Sequence, residues 1–289
     1  MNNIHVVIMA GGVGNRLYPV STPERPKQFL DLLGCGKTLI QLTYERFLAV
    51  DSAANFWVVT SEKYTRFVHE QLPDIPDERI LAEPEARNTA PCIAYACWKI
   101  KARCPDANIV VTPSDAYVPD CAGFAGTMRA ALDFTRERSA IVCVGIKPSS
   151  PHTGYGYIHI PEKNPGAADV CKVSEFKEKP DSATAERYLA EGGYYWNAGI
   201  FVWNAKTIEN ELRVHAPQIC SVMDSLSPAL YTASEKPSLA RLFPTCEKIS
   251  IDYAVMEKSS GIYMIPGLWR WSDLGSFEAI EAITGKKLN

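Results

Sequence analysis

The sequence predicts an α/β protein with a Rossmann-like, mixed but mostly parallel sheet, helices on both faces and antiparallel additions. Three observations carry this. Short β-rich apolar runs alternate with longer helical patterns over roughly the first half of the chain. Strand–helix–strand alternation of that kind builds a parallel sheet covered on both sides. The strands are continuously apolar, as in HVVIMA, which fits burial on two faces rather than one. After about Ser149 the rhythm changes to glycine-, proline- and aromatic-rich pieces, HTGYGYIHI, FKEKP and YYWNAGIFVWNA, which read as antiparallel additions able to cover a ligand.

In chain order, the expected strands are 4–9, 56–60, 79–82, 109–112 and 140–145. The expected helices lie near 38–50, 62–72, 90–103 and 124–137. Residues 225–237 are rich in Ser and Pro and read as a loop. No repeat and no interdomain linker is visible. The expectation is one domain over 1–289, with a nucleotide-binding part at about 1–149 and a second ligand-binding part at about 150–289.

Bulk properties narrow the class. The 289 residues are 46% apolar with a net charge of −3, ordinary for a globular protein and unlike a nucleic-acid or anionic-membrane binder. No apolar run reaches the length of a membrane span, and the N-terminus lacks signal-peptide features. Nine scattered cysteines form no CxxC pair, and their odd number fits a disulfide framework poorly. Most sit in apolar surroundings, so small buried hydrophobes in a reducing cytoplasm are expected.

The first chemical signal follows the first strand. Gly11, Gly12 and Gly14 fall within four positions and are followed by Asn15 and Arg16. Glycines let backbone approach a ligand and adopt positive φ, and successive N–H groups in such a turn cradle an anion. Arg16 adds a planar, charged fork suited to phosphate oxygens. Arg25-Pro26-Lys27-Gln28 places a further cation beside a rigid turn. Two other glycine-loop readings fail. A dinucleotide fingerprint would need glycine at Leu17, and Gly36-Lys37-Thr38 has Asp31 where a P-loop needs glycine and follows no strand.

The segment MAGGVGNRLYPVSTPERPKQFLDLLG resembles the signature of sugar-1-phosphate nucleotidylyltransferases, and its Pro-Lys-Gln-Phe-Leu form resembles the mannose-1-phosphate guanylyltransferase branch. The likeness continues through EPEARNTAPCIAYA, VTPSDAYV, FKEKP, YYWNAGIFVW, ISIDYAVMEKS and WSDLGSFEAI, in the expected order and over nearly the whole chain. It implies the nucleotidyltransferase fold and transfer of GMP from GTP to mannose 1-phosphate, giving GDP-mannose and pyrophosphate. It implies Mg²⁺ as cofactor and involves neither nucleic acid nor membrane. It permits a homodimer, and it expects no C-terminal β-helix or isomerase-type domain in this chain.

By the same resemblance Arg16 holds the leaving phosphates and Lys27 lies near the reacting α-phosphoryl group. Nucleotide contacts are expected from Gly11, Gly12, Gly14, Asn15, Arg87, Asn88 and Thr89. Sugar-phosphate contacts are expected from Gly154, Glu178, Lys179 and Asn197, and metal contacts from Asp115 and Asp273. The chemistry agrees. A phosphate monoester is already an anionic nucleophile near neutral pH, so no Ser-His-Asp set is needed. The work is positioning two polyanions and neutralising charge. Asp115 follows the strand IVVTPS and could equally be a helix N-cap. Asn88 reads both as a cap and as a base contact. Glu178 and Lys179 can reach one ligand only if the strand end bends, since neighbours in a strand face opposite sides. Asp252 could cap a helix or face the sugar. Related sequences carry His after the motif aspartate, where Ala116 stands here. The resemblance therefore assigns a role to Asp115 and none to its neighbour. A glycosyltransferase would need a DxD pair that the chain lacks, and a purely regulatory homologue would have little use for the retained charged set.

Overall fold

The computed structural model describes residues 3–12, 14–161 and 164–287. In chain order the first half contains β1 (Ile4–Met9), α1 (Leu39–Leu48), β2 (Asn55–Ser61), α2 (Thr65–Gln71), β3 (Ile80–Glu83), α3 (Thr89–Arg103), β4 (Asn108–Pro113), α4 (Cys121–Arg136) and β5 (Ile141–Ile146). The second half adds β6 (Tyr157–His159), β7 (Cys171–Lys172), β8 (Glu175–Lys177), α5 (Ser182–Glu191), β9 (Tyr194–Asn204), α6 (Ala205–His215), α7 (Pro217–Leu226), α8 (Glu235–Leu242), β10 (Ile262–Pro266) and α9 (Phe277–Thr284).

These strands form one mixed sheet in the order β3-β2-β1-β4-β9-β5-β10-β7. The β1, β2, β3 and β4 neighbours run parallel, as do β5 and β10. β9 enters antiparallel between β4 and β5 and so joins the early strands to the late ones. β6 pairs antiparallel with both β8 and β9 as a side flap.

The continuous apolar strands have the predicted cause. On β1, Val7 packs into one core while Val6 and Ile8 pack into the other. β4 divides Ile109 and Val111 from Val110 in the same way. Side chains alternate across a strand, so a sheet covered on both faces needs apolar residues at every position. α3, α6 and α7 cover one face; α1 and α4 cover the other. A third, smaller cluster joins Leu17, Leu30 and Leu39 to Leu274 and Ile280, fastening α9 onto the glycine-loop region.

Boundaries shift by a few residues where caps decide them. α4 starts at Cys121 because the Asp120 side chain accepts from the Gly123 N–H. The 62–72 helix opens with a 3₁₀ turn, Glu62–Tyr64, before α2. The loop expected over 225–237 is a correction. α7 runs to Leu226, a 3₁₀ turn covers Ser227–Ala229, and α8 begins at Glu235. Pro237 sits in the first turn of α8, where its missing N–H costs nothing. All nine cysteines are free, and among the described residues no helix is long and apolar enough to cross a membrane.

Candidate active site

Every loop that carries a predicted charged group leaves the same edge of the sheet. The glycine loop follows β1, Asp115 follows β4 and Asp273 follows β10, all at carboxyl ends of strands that point the same way. Ligands of open α/β sheets bind along that edge. Asn197, near the start of the opposed β9, reaches it from the other direction.

Lys27 is the centre of the cluster. It is 5% exposed. Its Nζ donates to Asp115 Oδ2 at 2.8 Å and also to the Asp273 backbone carbonyl. A buried ammonium is tolerable only with such partners. Among the described residues, these two acceptors satisfy two of its three N–H groups.

Gly14 lets Lys27 lie there. It has φ of 71°, and a Cβ added to it would sit 2.8 Å from the Lys27 Cβ and 2.9 Å from the Ser21 Oγ. Gly12 is different: an added Cβ there meets nothing within 4 Å. Gln28, which the sequence reading passed over, shapes the loop. Its Nε2 donates to the carbonyls of Ala10 and Gly12, both at 2.9 Å, occupying acceptors that would otherwise face an anion. Its position beside Lys27 was the available signal. Asn15 opens the 3₁₀ turn Asn15–Leu17, and its side chain lies outside the described part of the structure.

Asp273 is held in place by three donors. Tyr155 Oη donates to its Oδ1 at 2.8 Å, the Gly275 N–H donates to the same oxygen at 3.0 Å, and Arg16 pairs with Oδ2 at 3.5 Å. Reciprocal backbone bonds between Tyr117 and Ser272 tie this loop to the one bearing Asp115. Asp115 caps no helix, since the following helix is capped by Asp120. Ala116 is buried, and its carbonyl accepts from the Arg46 guanidinium at 2.9 Å.

A cavity of about 300 Å³ opens between these groups, lined by Arg16, Lys27, Thr89, Asp115, Gly154, Tyr155, Gly156, Glu178, Asn197, Asp252 and Asp273 among others. A larger cavity of about 710 Å³ lies elsewhere, against α2, β3, α3 and α8. The smaller one is the candidate site because Arg16, Lys27, Asp115, Glu178, Asn197 and Asp273 converge on it, whereas Gly11, Gly12, Gly14, Asn88 and Lys179 lie outside its lining.

At its far end, β8 stops at Lys177 and Lys179 takes a left-handed φ of 44°. The strand end bends here as expected, with Glu178 lining the cavity and Lys179 outside its lining. The Lys179 ammonium pairs with the Glu178 carboxylate. Glu178 Oε2 lies 2.5 Å from where a Gly156 Cβ would be, so Gly156 is the glycine that leaves room for this carboxylate. At Gly154 an added Cβ would meet the His152 ring. Asp252 also belongs here. Asn197 Nδ2 donates to its Oδ1 at 3.0 Å. Burial first, and the Glu178 carboxylate second, push its carboxyl up to about 7.

The residues of 85–89 divide. Thr89 lines the cavity, whereas Arg87 pairs with Glu85 at 3.1 Å and does not. The Asn88 side chain caps α3, accepting from the Thr89 N–H at 2.8 Å. Next to them is Glu83, absent from the sequence-derived set. Its carboxylate lies 3.4 Å from where a Gly11 Cβ would be. Burial pushes its carboxyl up to about 8, against a Cys92 thiol contact that lowers it. Glu83 Oε1 and Arg87 Nε are both buried without a partner among the described residues, one an acceptor and one a donor.

A Rossmann-like edge that gathers an Arg, a buried Lys and two carboxylates from distant loops is the arrangement expected of a ligand-binding α/β enzyme. The chain matches the family described as Nucleotidyl transferase over residues 5–289 and belongs to it. It is 37% identical to the alginate biosynthesis protein AlgA of Pseudomonas aeruginosa, over 98% of this chain and 59% of that protein. It is 35% identical to the mannose-1-phosphate guanylyltransferase of Escherichia coli, over 98% of this chain and 60% of that one. The chain thus spans about three-fifths of the curated relatives it matches. A crystal structure described as mannose-1-phosphate geranyltransferase from Thermus thermophilus superposes with a TM-score of 0.85 at 30% identity, over 99% of this chain and 80% of that one.

The loop geometry has a direct test. Gly14→Ala should lower the melting temperature by at least about 2 °C, from the collision with Lys27 and the strained φ. Gly12→Ala should leave it within a degree or so. Thermal melts of equal midpoint for the two variants would contradict the account.

Proposed function

We propose that the protein transfers GMP from GTP to mannose 1-phosphate, giving GDP-mannose and pyrophosphate. The observation that carries this is the buried Lys27 ammonium, set between Asp115 and Asp273 in a cavity that continues to a carboxylate- and amide-lined end. The choice of base and sugar is supported by the relatives, among them one described as a mannose-1-phosphate guanylyltransferase.

The reaction is in-line. A phosphate oxygen of the sugar phosphate forms a bond to the α-phosphorus as the bond to the β-phosphate oxygen breaks. The nucleophile is anionic from the start, so no side chain need remove a proton. Lys27 reaches the α-phosphoryl group and holds it as charge shifts toward the leaving group. Arg16, whose side chain is 70% exposed, swings from Asp273 to the leaving phosphates. Gly11, Gly12 and Gly14 bring backbone N–H groups to the same phosphates. Glu178, Asn197 and Asp252 accept and donate to sugar hydroxyls across the space left by Gly156, and Lys179 takes the sugar phosphate.

The donor set fits a magnesium ion. The cavity is lined by two cations, Arg16 and Lys27, and four carboxylates, Asp115, Glu178, Asp252 and Asp273. Such a site cannot take two polyanions without added positive charge. Asp115 and Asp273 would hold the ion, and two carboxylates suit Mg²⁺, which completes its shell with phosphates and water. When bound it supplies charge neutralisation on the phosphates. The free thiols, two of them exposed, suit a reducing compartment, and the cytoplasm is the one we propose.

Glu83 is our candidate for reading the base. Guanine offers N1–H and N2–H donors, which match the carboxylate of Glu83 beside Gly11 of the glycine loop. A carboxyl raised to about 8 must ionise to accept two donors. GTP affinity should therefore improve as pH rises, by about fivefold from pH 7 to 8, and level off above. Glu83→Gln should lose this dependence together with preference for GTP over ATP. Calorimetric titrations showing flat GTP affinity in the wild type, or an unaltered preference in the variant, would remove Glu83 from the base site.

The whole reading is tested by a panel of four nucleoside triphosphates against several sugar 1-phosphates with Mg²⁺, measuring pyrophosphate release. GTP with mannose 1-phosphate should be fastest. Release with no pair would sink the enzyme assignment; a different fastest pair would replace the substrates.

A further inference from the structure

Residues 249–257 border the cavity at Ile251 and Asp252 and are bonded to α3, to Asn197 and to the segment after β8. At one end the Thr89 Oγ1 accepts from the Ile251 N–H at 2.8 Å, and the Ala90 N–H donates to the Ile249 carbonyl at 3.1 Å. Both contacts come from the first turn of α3, the segment that begins at the base-reading residues. In the middle Asn197 holds Asp252. At the other end the Glu178 N–H donates to Glu257 Oε1 at 2.9 Å.

Two features show that this strap is specified by more than packing. Asn88, just before Thr89, stands at φ 68°, an unfavourable conformation for a residue other than glycine. That geometry, with the Asn88 cap, aims the first turn of α3 at Ile251. Asp252–Met256 forms a single π-helical turn, a form rare in proteins and common at functional sites. Asp252 faces the cavity at its start.

We infer that Thr89 is a positioning residue that couples the two substrate halves: its bond to the Ile251 N–H transmits nucleotide occupancy to Asp252, Asn197 and Glu178 at the sugar end. This rests on the substrate reading above. A nucleotide seated against the 83–89 segment fixes the first turn of α3, the Thr89 hydroxyl fixes the start of the strap, and the strap sets the carboxylates that meet the sugar. Coupling of this kind is a free energy shared by the two sites and is reciprocal.

The test measures mannose 1-phosphate binding by calorimetry, with Mg²⁺, in the absence and presence of saturating α,β-methylene GTP, which cannot react. In the wild type the analogue should tighten sugar-phosphate binding about fivefold or more. Thr89→Val has the same shape and no acceptor, and should reduce this factor to about one. Thr89→Ser keeps the hydroxyl and should restore it. A wild type whose ligands both bind but independently, or a valine variant with the full factor, overturns the inference and leaves the proposed reaction standing. If neither ligand binds the wild type, the substrate reading itself has failed and the inference falls with it.

Discussion

The structure depends on one buried ammonium. Lys27 is almost wholly removed from water, and a charge in that position is stable only if its partners are in place. Those partners are an aspartate that follows β4 and a backbone carbonyl from the loop after β10. The requirement draws loops far apart in sequence to one point. Much nearby architecture serves it: the glycine whose missing side chain clears Lys27, the Gln28 amide that binds the loop carbonyls, the Tyr117–Ser272 bridge and the small core under α9.

The same constraint bears on the cavity's charge, where four carboxylates outnumber two cations. Asp115 pairs with Lys27 at 2.8 Å and Asp273 with Arg16 at 3.5 Å, so each of these two cations has a carboxylate partner. Lys179 and Glu178 repeat the arrangement in smaller form after β8.

Much of this was legible in the sequence, and the reasons differ by element. The apolar runs of β1 and β4 announced strands because a sheet buried on both faces permits no polar alternation. The boundaries of α4 and the existence of α8 were missed because caps and a first-turn proline outweigh local composition. The charged set of Arg16, Lys27, Asp115 and Asp273 was found through motif resemblance, and the fold brings it together. What could not be read is the work of residues without a chemical signature in one dimension. Gly156 rather than Gly154 opens the space at Glu178, and Glu83 is made unusual only by burial beneath Gly11. Asn88 reads as both cap and ligand contact in the sequence; its side chain caps α3, and the Thr89 hydroxyl accepts from the Ile251 N–H, a bond that no one-dimensional pattern signals.

The central claim is that Lys27 acts on the reacting phosphorus and is not merely a buried structural charge. Single-turnover pyrophosphate release, with GTP, mannose 1-phosphate and Mg²⁺ saturating, measures this most directly when wild type is set against Lys27→Met. The account predicts a loss of about a thousandfold or more, equivalent to roughly 4 kcal/mol of transition-state stabilisation, in a variant that still folds and binds GTP. A folded variant whose single-turnover rate stays within about tenfold of wild type would contradict it.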